Sequence, residues 1–482
     1  MNRYQNFIGG KFCSSNSGSE IGVINPSTGA LICSVPDSDY NDVEAALASA
    51  KAAQLKWAER PAIERAEYLR AIAGEIRNSG AELTRAISEE QGKTLSLAST
   101  EVSFTADYLD YMAGWARRIE GDILNSDRRG ETILLFQRPM GLVAGILPWN
   151  FPFFLIARKV APALVTGNII VLKPSEETPH NAVLFCEIIE RAGLPPGVIN
   201  VVHGRGQGAG RLLCESPAVD MISFTGSVAT GSSIMASAAS NLTKLNLELG
   251  GKAPAIVMAD ADLSIAVKAV RASRIINSGQ VCNCVERVYV HSKIADRFID
   301  EVTAAMTNTH FGNPLLDISS EYGPLINEAA FSKVDGLVRH AVSEGATITT
   351  GGKRAESLPD GYFYEPTVLR NCRQNMEIVR KEIFGPVIPV VTFDDLDEAI
   401  AFANDSEYGL TSSIYTRDLN TALRACETLR FGETYVNREN FEAMQGFHSG
   451  WRKSGLGGAD GKHGLYEFMQ KQVVYLQRGL ES

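Results

Sequence analysis

The stretch Met221-Ile222-Ser223-Phe224-Thr225-Gly226-Ser227-Val228-Ala229-Thr230-Gly231 decides how this chain folds. It opens on an apolar run of strand length, turns at a Gly-Ser pair and continues with helical spacing. A strand that turns through glycine into a helix offers backbone N–H groups and the positive end of the helix dipole to a pyrophosphate. The same alternation extends upstream and downstream. Strand-like runs at 142–147, 169–173, 198–203 and 243–249 are separated by helical stretches at 153–165 and 180–192. Repeated units of this size predict a parallel sheet covered on both faces, with ligands settling outside the carboxyl ends of the strands. On this reading nearly every polar residue singled out below falls at such an end.

Further out, short extended pieces surround Ile24-Asn25-Pro26-Ser27-Thr28-Gly29, and helices are expected at 42–57, 61–78 and 81–91. The run 131–137 reads as a strand standing apart, whose apolar side chains need a partner sheet. After Gly251 a second α/β series follows, with strands at 254–258, 285–290, 386–393 and 410–415 and a helix at 263–275. The chain closes on a strand-like piece at 473–477. The expected fold class is α/β: two doubly wound α/β domains, one from 1–118 and 141–250 and one from 251–452. Segments 119–140 and 466–482 remain for a small β element.

Composition narrows the function classes. Of 482 residues 45% are hydrophobic and 21% charged, the profile of an ordinary soluble globular protein. A net charge of −10, with no concentrated basic face, argues against a nucleic-acid partner. No apolar run reaches the roughly 18 residues of a membrane span, and the first twenty residues lack a signal-peptide core, so a cytoplasmic protein with no membrane partner is expected. The 8 cysteines are scattered, which favours a reducing compartment. Cys282-Asn283-Cys284 lacks a second Cys/His pair to complete a metal site, so no metal is expected.

Two segments carry chemistry. Leu247-Glu248-Leu249-Gly250-Gly251-Lys252 supplies a carboxylate on a glycine-flanked turn, and Ser278-Gly279-Gln280-Val281-Cys282 supplies a thiol. A thiol beside a carboxylate base can trap a carbonyl covalently and release the product with water. Each residue also has a plain structural reading. Cys282 could be a small buried hydrophobe, Asn150 a helix cap before Pro152, and Glu248 a solvated charge at a strand end.

These segments and others resemble the aldehyde dehydrogenase superfamily over essentially the whole chain. The blocks, in order, are Pro148-Trp149-Asn150-Phe151-Pro152, Lys173-Pro174-Ser175-Glu176, Phe224-Thr225-Gly226-Ser227, Leu247 to Gly251, Gly279-Gln280-Val281-Cys282, Glu382-Ile383-Phe384-Gly385-Pro386 and Lys453-Ser454-Gly455. The resemblance implies a Rossmann-like NAD-binding first domain, a catalytic second domain and a β oligomerisation element, in a homo-oligomer, dimer or tetramer. It implies Cys282 as nucleophile, Glu248 as the base for water and Asn150 as oxyanion donor. Cys284 is the nearby decoy. NAD is the cofactor implied, held by Ile146, Trp149, Lys173, Ser175, Glu176, Gly226, Ser227, Leu249, Glu382 and Phe384. A carboxylate at Glu176 meets a 2′-phosphate with like charge, so NAD is expected over NADP, with Lys173 partly offsetting that repulsion.

For substrate, Arg158 lies two helical turns beyond Asn150 and so near the same face. Asn283 follows the nucleophile, and Glu442 and His448 occupy a late loop that, by similarity, closes the substrate mouth. A polar pocket of this kind suggests a small hydroxylated or carboxylated aldehyde. The 437–464 segment resembles the branch of the family acting on lactaldehyde and glycolaldehyde. A succinate semialdehyde enzyme would instead use Arg158 to clamp a distal carboxylate, and Arg158 could also simply pair with an acid. From another class, a cysteine esterase could use Cys282 and Glu248 with no cofactor.

Overall fold

The structure is a computed structural model and describes residues 2–479. Position 1 and the last three positions of the 466–482 segment lie outside the described residues. Five parallel strands form the centre of the first sheet: Leu142–Ile146, Ile169–Lys173, Ile199–Val201, Met221–Gly226 and Lys244–Leu249. The first of the series is central. The next two run off one side of it and the last two off the other. This is the doubly wound order, and the order of succession reverses between the parallel strands Leu142–Ile146 and Met221–Gly226, where a crevice opens. Antiparallel pieces close both edges, Gly455–Leu456 on one and the Asn6–Ile8/Lys11–Cys13 hairpin on the other.

Helix Pro152–Thr166 packs over this sheet. Proline stands at its start, Gly167 at φ 97° ends it, and every residue in it is buried. It rests on Leu95–Ala113, a helix the sequence reading did not anticipate. Serine and threonine interrupt its apolar period, and its stability comes from packing between Ala62–Asn78 and Pro152–Thr166 rather than from propensity.

The second sheet has six parallel strands, in spatial order Thr367–Arg370, Val387–Phe393, Val285–His291, Ala253–Val257, Thr411–Tyr415 and Glu433–Val436, with Thr347–Thr350 antiparallel at the edge. Alternation divides its side chains cleanly. Along Ala253–Val257, Ile256 joins one apolar cluster while Ala255 and Val257 join the other.

A third sheet answers the stranded run expected at 131–137. Glu131–Pro139 pairs with Met469–Gln477 on one side and Asp122–Asn125 on the other. Its Ile123, Tyr475 and Leu476 side chains are exposed. Among the described residues, no helix is long and apolar enough to cross a membrane.

The two large sheets meet end to end. The chain leaves Lys244–Leu249 through Gly250-Gly251 directly into Ala253–Val257, so carboxyl ends of the first sheet face amino ends of the second. This corrects one expectation. Cys282 and Glu382 precede Val285–His291 and Val387–Phe393 and stand at amino ends, because the crevice lies between two sheets rather than above one.

Candidate active site

The loop that presents Cys282 is wound tightly. Asn277, Ser278 and Gly279 take consecutive left-handed conformations, with φ of 48°, 60° and 75°. Only glycine serves at the third position, since a Cβ there would meet the Gly385 carbonyl oxygen at 2.3 Å. Buried side chains hold the loop in place. Ser278 Oγ donates to the Gly323 carbonyl at 2.8 Å, and Gln280 Oε1 accepts from the Ile326 N–H at 2.9 Å. Arg274, wholly buried, donates to the carbonyls of Gly279 and Gly385. Cys282 emerges partly exposed into a cavity of about 340 Å³. Cys284 is buried, its Sγ donating to the Val281 carbonyl at 3.0 Å, and burial pushes its thiol up to about 12.

Asn150 stands opposite. The helix behind it begins at Pro152 without a side-chain cap, so Asn150 is no capping residue. Its Nδ2 donates to the Gln280 carbonyl at 3.0 Å, beside Cys282, while its own carbonyl accepts from Lys93 Nζ at 2.7 Å and Asn277 Nδ2 at 3.0 Å. Lys93 also pairs with Glu101 at 2.6 Å, and Glu101 accepts from the N–H groups of Phe153 and Phe154. Those two N–H groups are free donors of a helix start, so Glu101 caps the helix from outside it. The sequence reading missed both residues, and nothing in their spacing marked them.

Glu248 is buried, and neither of its carboxylate oxygens has a hydrogen-bond partner among the described residues. Burial raises its carboxyl to about 7, against the opposing pull of His448 and Arg158. The His448 Nε2 lies 3.5 Å from Glu248 Oε2, and its Nδ1 lies 2.5 Å from Glu433 Oε1. Lys159 donates to the hydroxyls of Ser223 and Thr225, and burial brings its ammonium down to about 7.

The remaining predicted pocket residues converge in the same cavity, though not as a bare polar patch. Arg158 donates through Nε to Asp460 at 3.0 Å, pairs with it again through Nη2, and reaches Glu442 at 3.4 Å. Glu442 also accepts from Asn283 Nδ2. Asp460 was not anticipated, and it neutralises the guanidinium expected to face the substrate. Around this polar end stand Phe104, Phe154 and Phe441, with the Phe104 and Phe154 rings 4.8 Å apart. The mouth is therefore more aromatic than the sequence suggested, because Phe104 comes from the unanticipated helix.

Trp149, Gly226, Ser227, Leu249, Glu382 and Phe384 line the other arm of the cavity. Ser227 caps helix Val228–Ala238 by accepting from Thr230 N–H, and Gly226 and Ser227 bring that helix start to the cavity wall. Glu382 Oε1 accepts from Gly251 N–H at 2.9 Å, and a Cβ on Gly250 would meet the same oxygen at 2.6 Å. Trp149 and Phe384 stack edge to face at 5.6 Å. Ile146, Lys173, Ser175 and Glu176 do not line this cavity. They lie along the same sheet end, Ile146 being paired with Lys173 across neighbouring strands. Lys173 Nζ meets Glu176 Oε2 at 2.9 Å and the Gly204 carbonyl at 2.9 Å. Burial alone would raise the Glu176 carboxyl, but the Lys173 ammonium overrides it and holds it below the usual range. The start of helix Val228–Ala238 can offer backbone N–H groups to a phosphate, and the carboxylates of Glu176 and Glu382 can accept from hydroxyls.

Comparison with known proteins identifies the family. The model of the Aldehyde dehydrogenase family matches residues 12–474. The chain is 58% identical over 471 residues to lactaldehyde dehydrogenase of Escherichia coli (strain K12), covering 98% of each chain. The crystal structure of the E. coli lactaldehyde dehydrogenase superimposes with a TM-score of 0.97 at 57% identity, over 99% of both chains. A betaine aldehyde dehydrogenase from Staphylococcus aureus, solved in complex with NAD+, superimposes with a TM-score of 0.96 at 34% identity, over 99% of this chain and 96% of that one. The protein is an oxidoreductase enzyme, and the chain belongs to the aldehyde dehydrogenase family.

Proposed function

We propose that this enzyme oxidises a small hydroxylated aldehyde, lactaldehyde or glycolaldehyde, to its carboxylic acid with NAD. The similarity to lactaldehyde dehydrogenase supports the substrate class. The observation that carries it is the state of Arg158, whose Nε and Nη2 are already engaged by Asp460 and Glu442. A guanidinium shared between two carboxylates is a poor clamp for a third. Succinate semialdehyde would bring that third carboxylate against Glu442, whereas a hydroxyl can donate to Glu442 and accept from Asn283.

The chemistry follows from the residues around the thiol. Cys282 attacks the aldehyde carbon and forms a thiohemiacetal. Asn150 Nδ2, held beside the nucleophile loop by Gln280, donates to the developing oxyanion, together with the Cys282 N–H. One such donor contributes about 2.7–4 kcal/mol. The dinucleotide, when bound, supplies the hydride acceptor that converts the thiohemiacetal to a thioester. Glu248 then takes a proton from the water that hydrolyses the thioester, a role suited to a carboxyl held near 7. Glu176 and Glu382 would hold the two riboses, the helix start at Ser227 the pyrophosphate, and Trp149 with Phe384 the nicotinamide end. The Lys173–Glu176 pair supports NAD over NADP.

The division of labour follows the sheets. We assign dinucleotide binding to 1–118 and 141–250, catalysis to 251–452, and oligomerisation to 119–140 with 466–482. The exposed Ile123 and Tyr475 on the small sheet support a homo-oligomer, since an apolar edge of this kind invites pairing. Eight free thiols suit a cytoplasmic setting.

Three measurements test the reading. Cys282→Ala is expected to abolish NADH formation while dinucleotide binding persists, and retained turnover would remove the nucleophile. A panel of aldehydes compared by kcat/KM is expected to place lactaldehyde and glycolaldehyde above succinate semialdehyde, and NAD above NADP. The reverse order overturns the substrate or the cofactor assignment. Ester hydrolysis without aldehyde oxidation, at any NAD concentration, would make the protein a hydrolase.

A further inference from the structure

His448 is buried at a junction that thioester hydrolysis by Glu248 does not itself require. Four elements meet there. Glu433 arrives on strand Glu433–Val436, Glu248 on Lys244–Leu249, Arg158 on helix Pro152–Thr166 and Cys282 on the nucleophile loop. The imidazole is only 2% exposed, and its backbone is fixed by reciprocal hydrogen bonds with Ala459, of 2.9 and 2.8 Å. With Nδ1 at 2.5 Å from Glu433 Oε1, the other nitrogen is directed away from Glu433, 3.5 Å from Glu248 Oε2 and beside the cavity that Cys282 also lines. Glu433 is itself anchored, its second oxygen accepting from the Tyr435 hydroxyl. The approach of its strand depends on Gly432, where a Cβ would meet the Ser449 carbonyl oxygen at 1.7 Å.

We propose that His448 is a catalytic residue that holds the proton of the Cys282 thiol, and that Glu433 is the positioning residue that keeps it there. The proposal rests on Cys282 being the nucleophile and gives His448 a task separate from contact with substrate. The proton leaves Sγ for Nε2 and the electron pair stays on sulfur. On attack the Sγ–C bond forms, and the carbonyl π pair moves to oxygen, toward Asn150. When water cleaves the thioester, its proton goes to Glu248 and the sulfur returns as thiolate opposite the same imidazolium. Two proton tasks are thus divided between neighbouring groups, so Glu248 need not serve both.

The charges around the imidazole favour this state. Burial and the Arg158 guanidinium pull the imidazolium down, but Glu433 and the Cys282 sulfur more than reverse them, leaving His448 well above its ordinary range. Arg158 is in turn tied to Asp460 and Glu442, and Lys159 lies on the far side near Glu248.

Alkylation of Cys282 by iodoacetamide tests the proposal on the full-length enzyme without aldehyde or cofactor. The rate is followed at pH 6.5 and pH 9.5, with the labelled peptide identified by mass. His448→Gln is expected to react at least tenfold more slowly than the native enzyme at pH 6.5 and at a similar rate at pH 9.5. Glu433→Gln is expected to slow the pH 6.5 reaction about threefold. NADH binding and thermal melting report whether each variant is folded, and His448→Asn serves as a second variant should the glutamine one unfold. Native alkylation rates in folded His448 variants at pH 6.5 overturn the proposal, as a histidine that only contacts substrate would give. That result would leave the nucleophile assignment standing, because Cys282→Ala tests it separately by NADH formation.

Discussion

Glu248 and Glu286 are both buried glutamates on strands, one in each large sheet, yet they are opposites in chemistry. Glu286 accepts from Lys252 Nζ and Arg274 Nη1, each at 2.8 Å, and from the N–H groups of Ile383 and Phe384. Burial would raise it, but Arg274 and Lys252 win and hold it down at about 2. Glu248 has no hydrogen-bond partner among the described residues, and burial carries it up to about 7. The satisfied carboxylate braces the loop bearing Glu382 and Phe384, while the unsatisfied one is kept in a protonation state that water chemistry can use. An orphaned buried carboxylate costs stability, so its persistence marks a site where function outweighs packing.

Exchange of each for glutamine sharpens that contrast. Glu248→Gln is expected to give the largest effect, slowing steady-state turnover by about 10²–10⁴-fold while a first burst of NADH survives. The carboxylate form is the base, so the raised value moves the acid limb of the pH profile from the ordinary 4.5 up to about 7. Native turnover should therefore fall below about pH 7, and the variant should lose that limb. Equal loss of burst and steady state would show that Glu248 also activates the thiol. Its folding stability at pH 8 should hold or rise rather than fall, since an orphaned buried charge is removed and no hydrogen bond is broken.

Glu286→Gln should do the reverse. Leaving Lys252 and Arg274 without a counter-charge costs about 3–5 kcal/mol, read as a lower Tm. The sign of its pH dependence is fixed by the depressed carboxyl. The stabilisation is present above the unfolded value near 4.5 and lost as pH falls toward 2, so the gap in Tm between native and variant should be full at pH 7 and close in acid. A gap independent of pH would mean that packing, not charge, holds this knot.

The same contrast explains what the sequence could reveal. The strands of the first sheet were legible because they are apolar on both faces and punctuated by glycine, and Gly226-Ser227 announced the helix start. Cys282, Glu248 and Asn150 were legible because each sits in a short local motif. Glu433, Asp460, Glu101 and Lys93 were not. Each acts on a residue far away in the chain, Asp460 on Arg158 and Glu101 on the 153–154 N–H groups, and a partner at that separation leaves no periodicity in either segment. Helix Leu95–Ala113 was missed for a related reason, since tertiary packing rather than its own pattern makes it helical.

Glu176 gives the smallest expected effect and the finest test, because it is a satisfied carboxylate at the proposed ribose site and so falls between Glu248 and Glu286. Its partner Lys173 is buried, while its own side chain is 31% exposed, so water screens it. Repulsion of a 2′-phosphate by such a group is worth about 1 kcal/mol, and Glu176→Gln also releases Lys173 to attract that phosphate. The ratio of kcat/KM for NADP to that for NAD should rise about fivefold to tenfold, with KM for NADP changing more than kcat. An unchanged ratio would place the ribose elsewhere and reduce the Lys173–Glu176 pair to a brace like that of Glu286, and a rise above a hundredfold would mean that solvent screens the pair far less than its exposure implies.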